Sequence, residues 1–269
     1  MKDRAEAALL DEIRSIADEA GKAIMQVYGR DFDVELKADR SPLTEADRLA
    51  HAIITERLGA LAPRLPVLSE EAPPESIRER TSWERFWLVD PLDGTKEFIK
   101  RNGEFTVNIA LIAGHAPVLG AVLAPALGCE YFGGAVLGAW RRQGESEPEP
   151  IHVRRAAAPF KVVGSRSHPS AELAGYLAGL GEHELVPMGS SLKICLVAAG
   201  EADIYPRLGP TSEWDTAAAQ AVLEGAGGCI IDLDGQPLRY NRKEHLLNPH
   251  FLAMGDRERD WLAPFRNRR

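Results

Sequence analysis

The sequence contains only three cysteines, Cys129, Cys195 and Cys229, and no two of them form a Cys-x-x-Cys pair. Disulfide scaffolds and cysteine-based zinc sites need more cysteines at closer spacing, so both classes are excluded. No run approaches the roughly 18 consecutive apolar residues of a membrane span, and the N-terminus, MKDRAE, has no apolar signal core. We therefore expect a reduced, cytoplasmic protein without a transmembrane segment.

The sequence also lacks an excess of positive charge. Its 32 lysine and arginine residues face 40 aspartate and glutamate residues, which gives a net charge of −8. Broad binding of nucleic acid needs a basic face, so this function class is excluded. One phosphorylated ligand remains compatible with the charge, because a bound metal ion can supply positive charge locally. A length of 269 residues allows one compound domain or two fused halves.

The hydrophobic pattern changes its period along the chain. Apolar residues at helical spacing predict two helices before the first proline-rich segment, the first of them ending near Gly29. Short apolar runs separated by glycine turns then predict successive strands, and helices and strands alternate in the second half. This order favours a layered α/β fold. Segment 143–150, rich in Glu and Pro, favours a linker between an N-terminal half of about residues 1–150 and a C-terminal half of about residues 151–269.

The strongest motif is WLVDPLDGT at residues 87–95. Asp90 and Asp93 follow an apolar strand, and a turn permitted by Gly94 would bring both carboxylates to one side. Two carboxylates and the Leu92 carbonyl are hard oxygen ligands of the kind that Mg²⁺ prefers. If a helix starts there, the N–H groups of Gly94 and Thr95 could hold a phosphate oxygen. Taken alone, an Asp-x-x-Asp-Gly sequence is more typical of an ordinary turn.

Further acidic residues occur at the predicted ends of other elements. Glu70 and Glu71 close a short strand, Asp215 opens a predicted helix, and Asp47 follows Thr44 at capping-box spacing. Each has an ordinary structural explanation, either as a solvated pair or as a helix cap. Capping explains each residue singly, but it does not explain why the element ends are so consistently acidic.

Two strings carry a family resemblance. DPLDGTKEF at residues 90–98 resembles the first signature of the lithium-sensitive phosphomonoesterase superfamily, which includes inositol monophosphatases and fructose-1,6-bisphosphatases. WDTAA at residues 214–218 resembles its second signature. The resemblance covers about residues 40–250 with the motifs in family order. It implies one unit with an α/β/α/β/α five-layer sandwich fold rather than two independent domains.

The resemblance also implies a set of metal ligands. Glu70, Asp90 and the Leu92 carbonyl would hold one Mg²⁺ ion, and Asp90, Asp93 and Asp215 would hold a second. A third ion near Glu70 is compatible with the family pattern. An attacking water activated by metal would then reach phosphorus directly, without a covalent intermediate.

The resemblance implies two substrate contacts. Gly94 and Thr95 would bind the phosphate that is cleaved, while either Thr95 or Asp47 would orient or deprotonate the water. The strings NGEFTVNIA at 102–110, GSSLK at 189–193 and ADIYPR at 202–207 are similar to the bacterial CysQ branch of 3'(2'),5'-bisphosphate nucleotidases. On that branch the second, uncleaved phosphate is expected to bind positively charged side chains. The matching positions here are Ser190, Lys193 and Arg207, with His168 as a further candidate.

The expected reaction is therefore Mg²⁺-dependent removal of the 3'-phosphate from adenosine 3',5'-bisphosphate (PAP), giving AMP and phosphate in sulfur-assimilation metabolism. The sulfated nucleotide PAPS is a second expected substrate. By resemblance, the enzyme would be sensitive to lithium and could associate peripherally with the inner membrane; monomer and homodimer both stay open. An inositol monophosphatase with the same metal site is the alternative enzyme, and a non-catalytic phospholigand-binding protein is the alternative of another class. Haloacid-dehalogenase chemistry needs Asp-x-Asp, which the motif lacks.

Overall fold

Two large β-sheets and a small two-stranded one organise the chain in the computed structural model, which describes residues 2–37, 41–165 and 171–266. The helices are α1 Lys2–Tyr28, α2 Glu45–Gly59, α3 Thr95–Ile99, α4 Ala171–Leu180, α5 Leu192–Ala198, α6 Ala217–Gly225 and α7 Ala263–Arg266. The strands are β1 Val34–Leu36, β2 Pro42–Thr44, β3 Val67–Ser69, β4 Arg85–Asp93, β5 Thr106–Ala113, β6 Ala116–Ala124, β7 Cys129–Gly134, β8 Gly138–Gln143, β9 Glu149–Pro150, β10 Phe160–Ser165, β11 His183–Met188, β12 Ile204–Arg207, β13 Cys229–Asp232 and β14 Phe251–Met254.

The first sheet has seven strands in the order β3-β4-β5-β6-β7-β8-β9. Both of its faces are buried, which explains why β4 reads as a continuous apolar run. Successive side chains of β4 point to opposite faces. Trp87 and Val89 pack with the apolar sides of α1 and α2, while Phe86 and Leu88 pack with α5 and α6 on the other side.

The second sheet has five strands in the order β11-β10-β12-β14-β13. Val163 of β10 packs with α5 and α6, whereas its neighbour Val162 packs with α4 through Tyr176. The layers are therefore α1 with α2, the seven-stranded sheet, α5 with α6, the five-stranded sheet, and α4 with α7. This arrangement confirms the expected α/β/α/β/α fold.

Helix α6 lies unusually close to the first sheet. A Cβ built on Gly120 of β6 would overlap the carbonyl oxygen of Ala218. The alanines of α6 and the missing side chain at position 120 let the two backbones approach, which fixes the height of the helix above the sheet.

Segment 143–150 is not a linker. Gln143 pairs with Cys129 in β7, and β9 pairs with β8 at Trp140 and Arg141, so the segment turns between two strands of one sheet. Its Glu, Pro and Gly residues reflect an exposed hairpin turn. Among the residues that the structure describes, no helix combines the length and the apolar character needed to cross a membrane.

Candidate active site

Strand β4 carries two of the predicted acids. It continues past Asp90 to Asp93, and its pairing with β5 shifts register between them, so that Asp90 lies opposite Asn108 and Asp93 opposite Thr106. Pro91, which has no N–H to donate, lies within this irregularity. The Leu92 amide donates to Asp90 Oδ1 at 3.0 Å.

Asp215 reaches the same place from the second half of the chain. Its carboxylate, with those of Asp90 and Asp93, forms a group in which one ligand oxygen from each residue lies within 4.8 Å of the others. A one-turn 3₁₀ helix, Glu213–Asp215, precedes α6. The prediction that Asp215 opens the α-helix is therefore wrong, because α6 begins at Ala217. Asp215 Oδ2 instead accepts hydrogen bonds from Thr211 Oγ1 at 2.6 Å and from the Ser212 amide at 2.9 Å.

The buried carboxylates repel one another. Burial, followed by the charge of Asp215, raises the pKa of Asp93 to about 7. Burial and the charges of Glu70 and Asp93 raise the pKa of Asp90 well above its ordinary value, and burial also raises that of Asp215. A group of hard carboxylate oxygens that is costly to ionise alone fits a divalent cation. The residues present thus suit the metal dependence that the motif predicts.

Glu70 lines the same cleft beside this group. Burial raises its pKa to about 7, although the ammonium of Lys37 opposes the shift. Lys37 Nζ lies 2.8 Å from Glu70 Oε1 and 2.5 Å from Glu71 Oε1. Sequence reasoning missed Lys37, because a single lysine between two predicted elements carries no pattern. We call Glu70, Asp90, Asp93 and Asp215 the acid wall.

Gly94 and Thr95 form the corner between β4 and α3. Gly94 has φ +92°, and a Cβ there would lie 3.2 Å from the Glu104 carbonyl oxygen, so glycine suits this turn on two counts. Thr95 is the first residue of α3, where backbone N–H groups lack partners within the helix. Its Oγ1 lies 3.4 Å from Asp47 Oδ1 and 3.4 Å from the Leu92 carbonyl oxygen.

Asp47 caps α2 and also lies next to Thr95. It completes the predicted capping box of α2, where its Oδ2 accepts from the Thr44 amide at 2.7 Å and from Thr44 Oγ1 at 2.6 Å. Its second oxygen faces Thr95. Burial raises the pKa of this carboxyl. The cap therefore holds a buried carboxylate next to the corner at Gly94.

A neighbouring pocket, which also includes Asp93 and Asp215, is lined by three residues of the second half that we call the cation wall: Ser190, Lys193 and Arg207. Ser190 has φ +44°, unusual for a residue with a side chain, and its buried Oγ has no hydrogen-bond partner among the described residues. The Nε of Arg207 is likewise buried and unpartnered there, while its Nη2 donates to the Pro210 carbonyl.

Burial changes the pKa of one member of the cation wall, Lys193. Its Nζ donates to the Ser190 carbonyl at 2.5 Å and lies 5.5 Å from the centre of the Tyr205 ring. Burial lowers the pKa of Lys193 to about 8, although Asp93 opposes the shift. The predicted contact His168 lies outside the described residues.

Ser191 joins the two walls, and sequence reasoning gave it no role. Its amide donates to Asp93 Oδ2 at 2.6 Å, and its hydroxyl donates to Asn108 Oδ1 at 2.8 Å. Thr106 Oγ1 lies 2.8 Å from the same hydroxyl. The second half thus holds an acid of the first in place. The available signal was the string GSSLK, in which only the first serine and the lysine drew attention.

Known proteins share this arrangement of elements. The model of the inositol monophosphatase family matches residues 7–262. The 3'(2'),5'-bisphosphate nucleotidase CysQ of Escherichia coli (strain K12) is 53% identical over 245 residues, which cover 90% of this chain and 98% of that protein. The protein of the same name from Haemophilus influenzae is 39% identical over 259 residues, with 96% of each chain covered.

Solved structures agree with these relatives. CysQ from Bacteroides thetaiotaomicron superimposes with a TM-score of 0.79 at 43% identity, covering 95% of this chain and 98% of that one. Inositol monophosphatase from Anabaena gives a TM-score of 0.70 at 25% identity, covering 93% and 90%. The family predicted from the two signature strings is confirmed, and the chain belongs to the inositol monophosphatase family.

Proposed function

We propose that the chain is a metal-dependent phosphomonoesterase that removes the 3'-phosphate of PAP to give AMP and phosphate, with PAPS as a second substrate. The observation that carries the proposal is that the two walls line adjoining pockets, which share Asp93 and Asp215. The acid wall offers oxygen ligands for metal, and the cation wall offers unpartnered donors for a second anion. Relatives named 3'(2'),5'-bisphosphate nucleotidase that span nearly the whole chain support the substrate class and its place in sulfur assimilation.

We assign the metal ligands as the family pattern implies. Glu70, Asp90 and the Leu92 carbonyl would hold one Mg²⁺ ion. Asp90, Asp93 and Asp215 would hold a second ion, and a third would bind near Glu70. All of these donors are hard oxygens, which favour Mg²⁺ over softer metals. When bound, the ions would neutralise the phosphate, lower the pKa of a water and stabilise the leaving oxygen.

Thr95 and Asp47 would handle the proton of the attacking water. The Thr95 hydroxyl can donate to Asp47 Oδ1, which leaves its own lone pair to accept a proton from the water. The threonine proton would then pass to Asp47, whose raised pKa makes it a better base than an exposed aspartate. The water oxygen bonds to phosphorus, the bond from phosphorus to the 3' oxygen breaks, and that oxygen takes a proton from solvent. The N–H groups of Gly94 and Thr95 hold the phosphate during this step.

The cation wall would hold the 5'-phosphate. Ser190 Oγ and Arg207 Nε are the buried donors without partners, and Lys193 adds a charged donor. Charge-assisted hydrogen bonds of this kind are stronger than neutral ones. His168 is assigned to the same phosphate by its position in the sequence. The three free cysteines suit a reducing compartment, and the cytoplasm is the proposed location.

The test compares phosphate release from PAP and from inositol 1-phosphate, each with Mg²⁺ and with EDTA. We expect Mg²⁺-dependent release with a strong preference for PAP, because only PAP places a second phosphate against the cation wall. A preference for inositol 1-phosphate would be compatible with metal binding at the acid wall, but it would contradict the proposed role of Lys193 and Arg207 in binding the second phosphate. Equal release with EDTA and with Mg²⁺ would overturn the metal chemistry.

A further inference from the structure

The acid wall is assembled from two distant parts of the chain. Asp90 and Asp93 belong to β4, an inner strand next to one edge of the seven-stranded sheet, whereas Asp215 belongs to residues 211–216, which we call the ligand turn. The three carboxylates repel one another when ionised, so the ligand turn must be held against that repulsion. The bonds from Thr211 and Ser212 to Asp215 act within the turn, and they do not fix the turn relative to β4.

A second segment, residues 240–248, wraps around the ligand turn; we call it the strap. The Asn241 amide donates to Glu213 Oε2 at 2.6 Å, and the Glu213 amide donates to the Leu246 carbonyl at 2.8 Å. Asn248 donates from its backbone to the Thr211 carbonyl at 2.9 Å and from its side chain to the Ser212 carbonyl at 2.8 Å. Asn248 Nδ2 also donates to Thr216 Oγ1 at 3.1 Å. The ligand turn is therefore bonded to the strap on both sides of Asp215.

The strap is anchored in turn to the first half of the chain. Arg80 lies in the connection between β3 and β4 and is buried. Its guanidinium donates to Asn241 Oδ1 at 2.6 Å, to the Lys243 carbonyl at 2.9 Å and to the Glu244 carbonyl. Asn241 Nδ2 donates back to the Arg80 carbonyl at 2.5 Å. Arg80 thus bonds the strap to the segment that leads directly into β4. A second tie to the first half joins the Tyr240 amide to the His115 carbonyl at 3.0 Å.

Two features show that the contact between the strap and the ligand turn depends on particular residues. Asn241 adopts φ +57°, a left-handed conformation that asparagine tolerates better than most residues. Glu213 is fully buried, and its second oxygen, Oε1, has Lys243 Nζ 3.7 Å away as its charged neighbour. A buried carboxylate is costly without partners, so its bond to Asn241 fixes one geometry for the turn.

We propose that Arg80, Asn241 and Glu213 are positioning residues that set the place of Asp215 relative to Asp90 and Asp93, and thereby the affinity of the acid wall for a divalent cation. None of the three belongs to the acid wall. They act through the ligand turn, as outer residues orient the ligands of metal sites generally. The inference rests on the metal binding that is part of the proposed function, but not on its substrate.

The test measures Mg²⁺ binding to metal-free protein by titration calorimetry, without any nucleotide. We expect Arg80→Met and Asn241→Ala to weaken Mg²⁺ affinity about 10- to 100-fold, the range typical of residues that orient ligands. At saturating Mg²⁺, the kcat of both variants should return close to that of the unmodified protein, because the acids themselves are intact. Arg80→Lys, which keeps the charge but not the forked geometry, should recover only part of the affinity.

A matched control separates positioning from general stability. Arg154 makes a two-pronged ion pair with the buried Asp203, at 2.8 and 2.7 Å, within the second half of the chain. Arg154→Met should lower Tm to a similar extent and leave Mg²⁺ affinity unchanged. If Arg80→Met does not fold, Asn241→Ala decides the matter by the same titration.

Unchanged Mg²⁺ affinity in a folded Arg80→Met or Asn241→Ala variant would overturn the inference. So would an equal loss of affinity in Arg154→Met, since stability alone would then account for it. Failure of the proposed function looks different: the unmodified protein would bind Mg²⁺ and respond to these substitutions, yet release no phosphate from PAP.

Discussion

The acid wall and the cation wall both contain buried titratable residues, but burial shifts the pKa values of Asp93 and Lys193 in opposite directions. It raises the pKa of Asp93 to about 7 and lowers that of Lys193 to about 8. Without a partner, Asp93 would therefore be partly protonated near pH 7 and Lys193 partly deprotonated near pH 8, so each would lose part of its charge. A divalent cation on one side and a phosphate on the other would restore it, so the comparison indicates a cleft whose two sides are completed by opposite ligands.

The walls also differ in how they are built. Asp90 and Asp93 are held by the inner strand β4, and Asp215 by a turn that the strap connects to Arg80. Ser190 and Lys193 lie at the start of a short helix, and Arg207 ends a strand. The acid wall thus contains residues from both halves of the chain and depends on contacts between them, whereas the residues of the cation wall all come from the second half.

Removing a ligand from the acid wall should have the largest effect. Asp90→Asn keeps the volume and removes the charge, and we expect PAP turnover to fall by more than about 100-fold, since even residues outside the ligand shell cost about 10- to 100-fold. Mg²⁺ should no longer raise Tm. The change is checked by phosphate release and by thermal unfolding with and without Mg²⁺.

Near-normal turnover in Asp90→Asn would remove Asp90 from the metal site. The fold should survive, because the substitution relieves repulsion from Glu70 and Asp93 rather than breaking a bond. A Tm equal to or above that of the unmodified protein in EDTA is the accompanying expectation.

Changing the cation wall should have a smaller and more selective effect. Lys193→Met should lower kcat/KM for PAP by about 10- to 100-fold, because a hydrogen bond to a charged group contributes about 1.5–3 kcal/mol. Turnover of inositol 1-phosphate, which has no second phosphate, should change little. Steady-state kinetics on both substrates checks the difference.

The control for this prediction is Lys22→Met, which removes an exposed lysine of α1 that pairs with Asp18. It should leave both substrates unaffected. Equal losses on PAP and inositol 1-phosphate in Lys193→Met would place this lysine at the cleaved phosphate, or in the support of Asp93, instead of at the second phosphate.

The smallest expected effect is on stability as a function of pH in EDTA. The folded pKa of Asp93, about 7, lies above its ordinary 3.8, so the folded state binds more protons and stability is lost as the pH rises through about 7. The Tm of Asp93→Asn, relative to the unmodified protein, should therefore rise by a few degrees between about pH 5 and about pH 8. About 1 kcal/mol corresponds to about 2–4 °C in a chain of this size.

Lys193→Met should give the opposite slope. The folded pKa of Lys193, about 8, lies below its ordinary 10.5, so stability is lost as the pH falls through about 8. The Tm of this variant relative to the unmodified protein should rise as the pH falls from about 10 to about 7. Slopes of the same sign in the two variants would contradict the assignment of opposite shifts to the two walls.

The sequence predicts the acids better than their supports. Asp90, Asp93 and Asp215 lie in strings with family spacing, and the layered fold follows from the alternation of elements and from the resemblance. The strap has no periodic pattern, and its bonds to Arg80 join residues more than a hundred positions apart. Such contacts exist only once both halves are packed, so no local signal reports them.

Local composition also misled the interpretation in two places. Residues 143–150 have the composition of a linker, but pairing with β8 makes them a hairpin turn. Asp215 completes a capping box with Ser212, but it lies in the 3₁₀ turn Glu213–Asp215, and α6 begins only at Ala217. In both cases tertiary packing decided between two conformations that the residues allow.

The close approach of α6 to strand β6 at Gly120 makes the site depend on a residue that would not contact a ligand. Helix α6 starts immediately after the ligand turn, and a side chain on position 120 would push the helix away from the sheet. In a mutational scan scored by growth that requires the enzyme, Gly120 should therefore tolerate almost no replacement, like a metal ligand. Scanning data read without the structure would assign it to the chemistry, although its contribution is only the distance between two backbones.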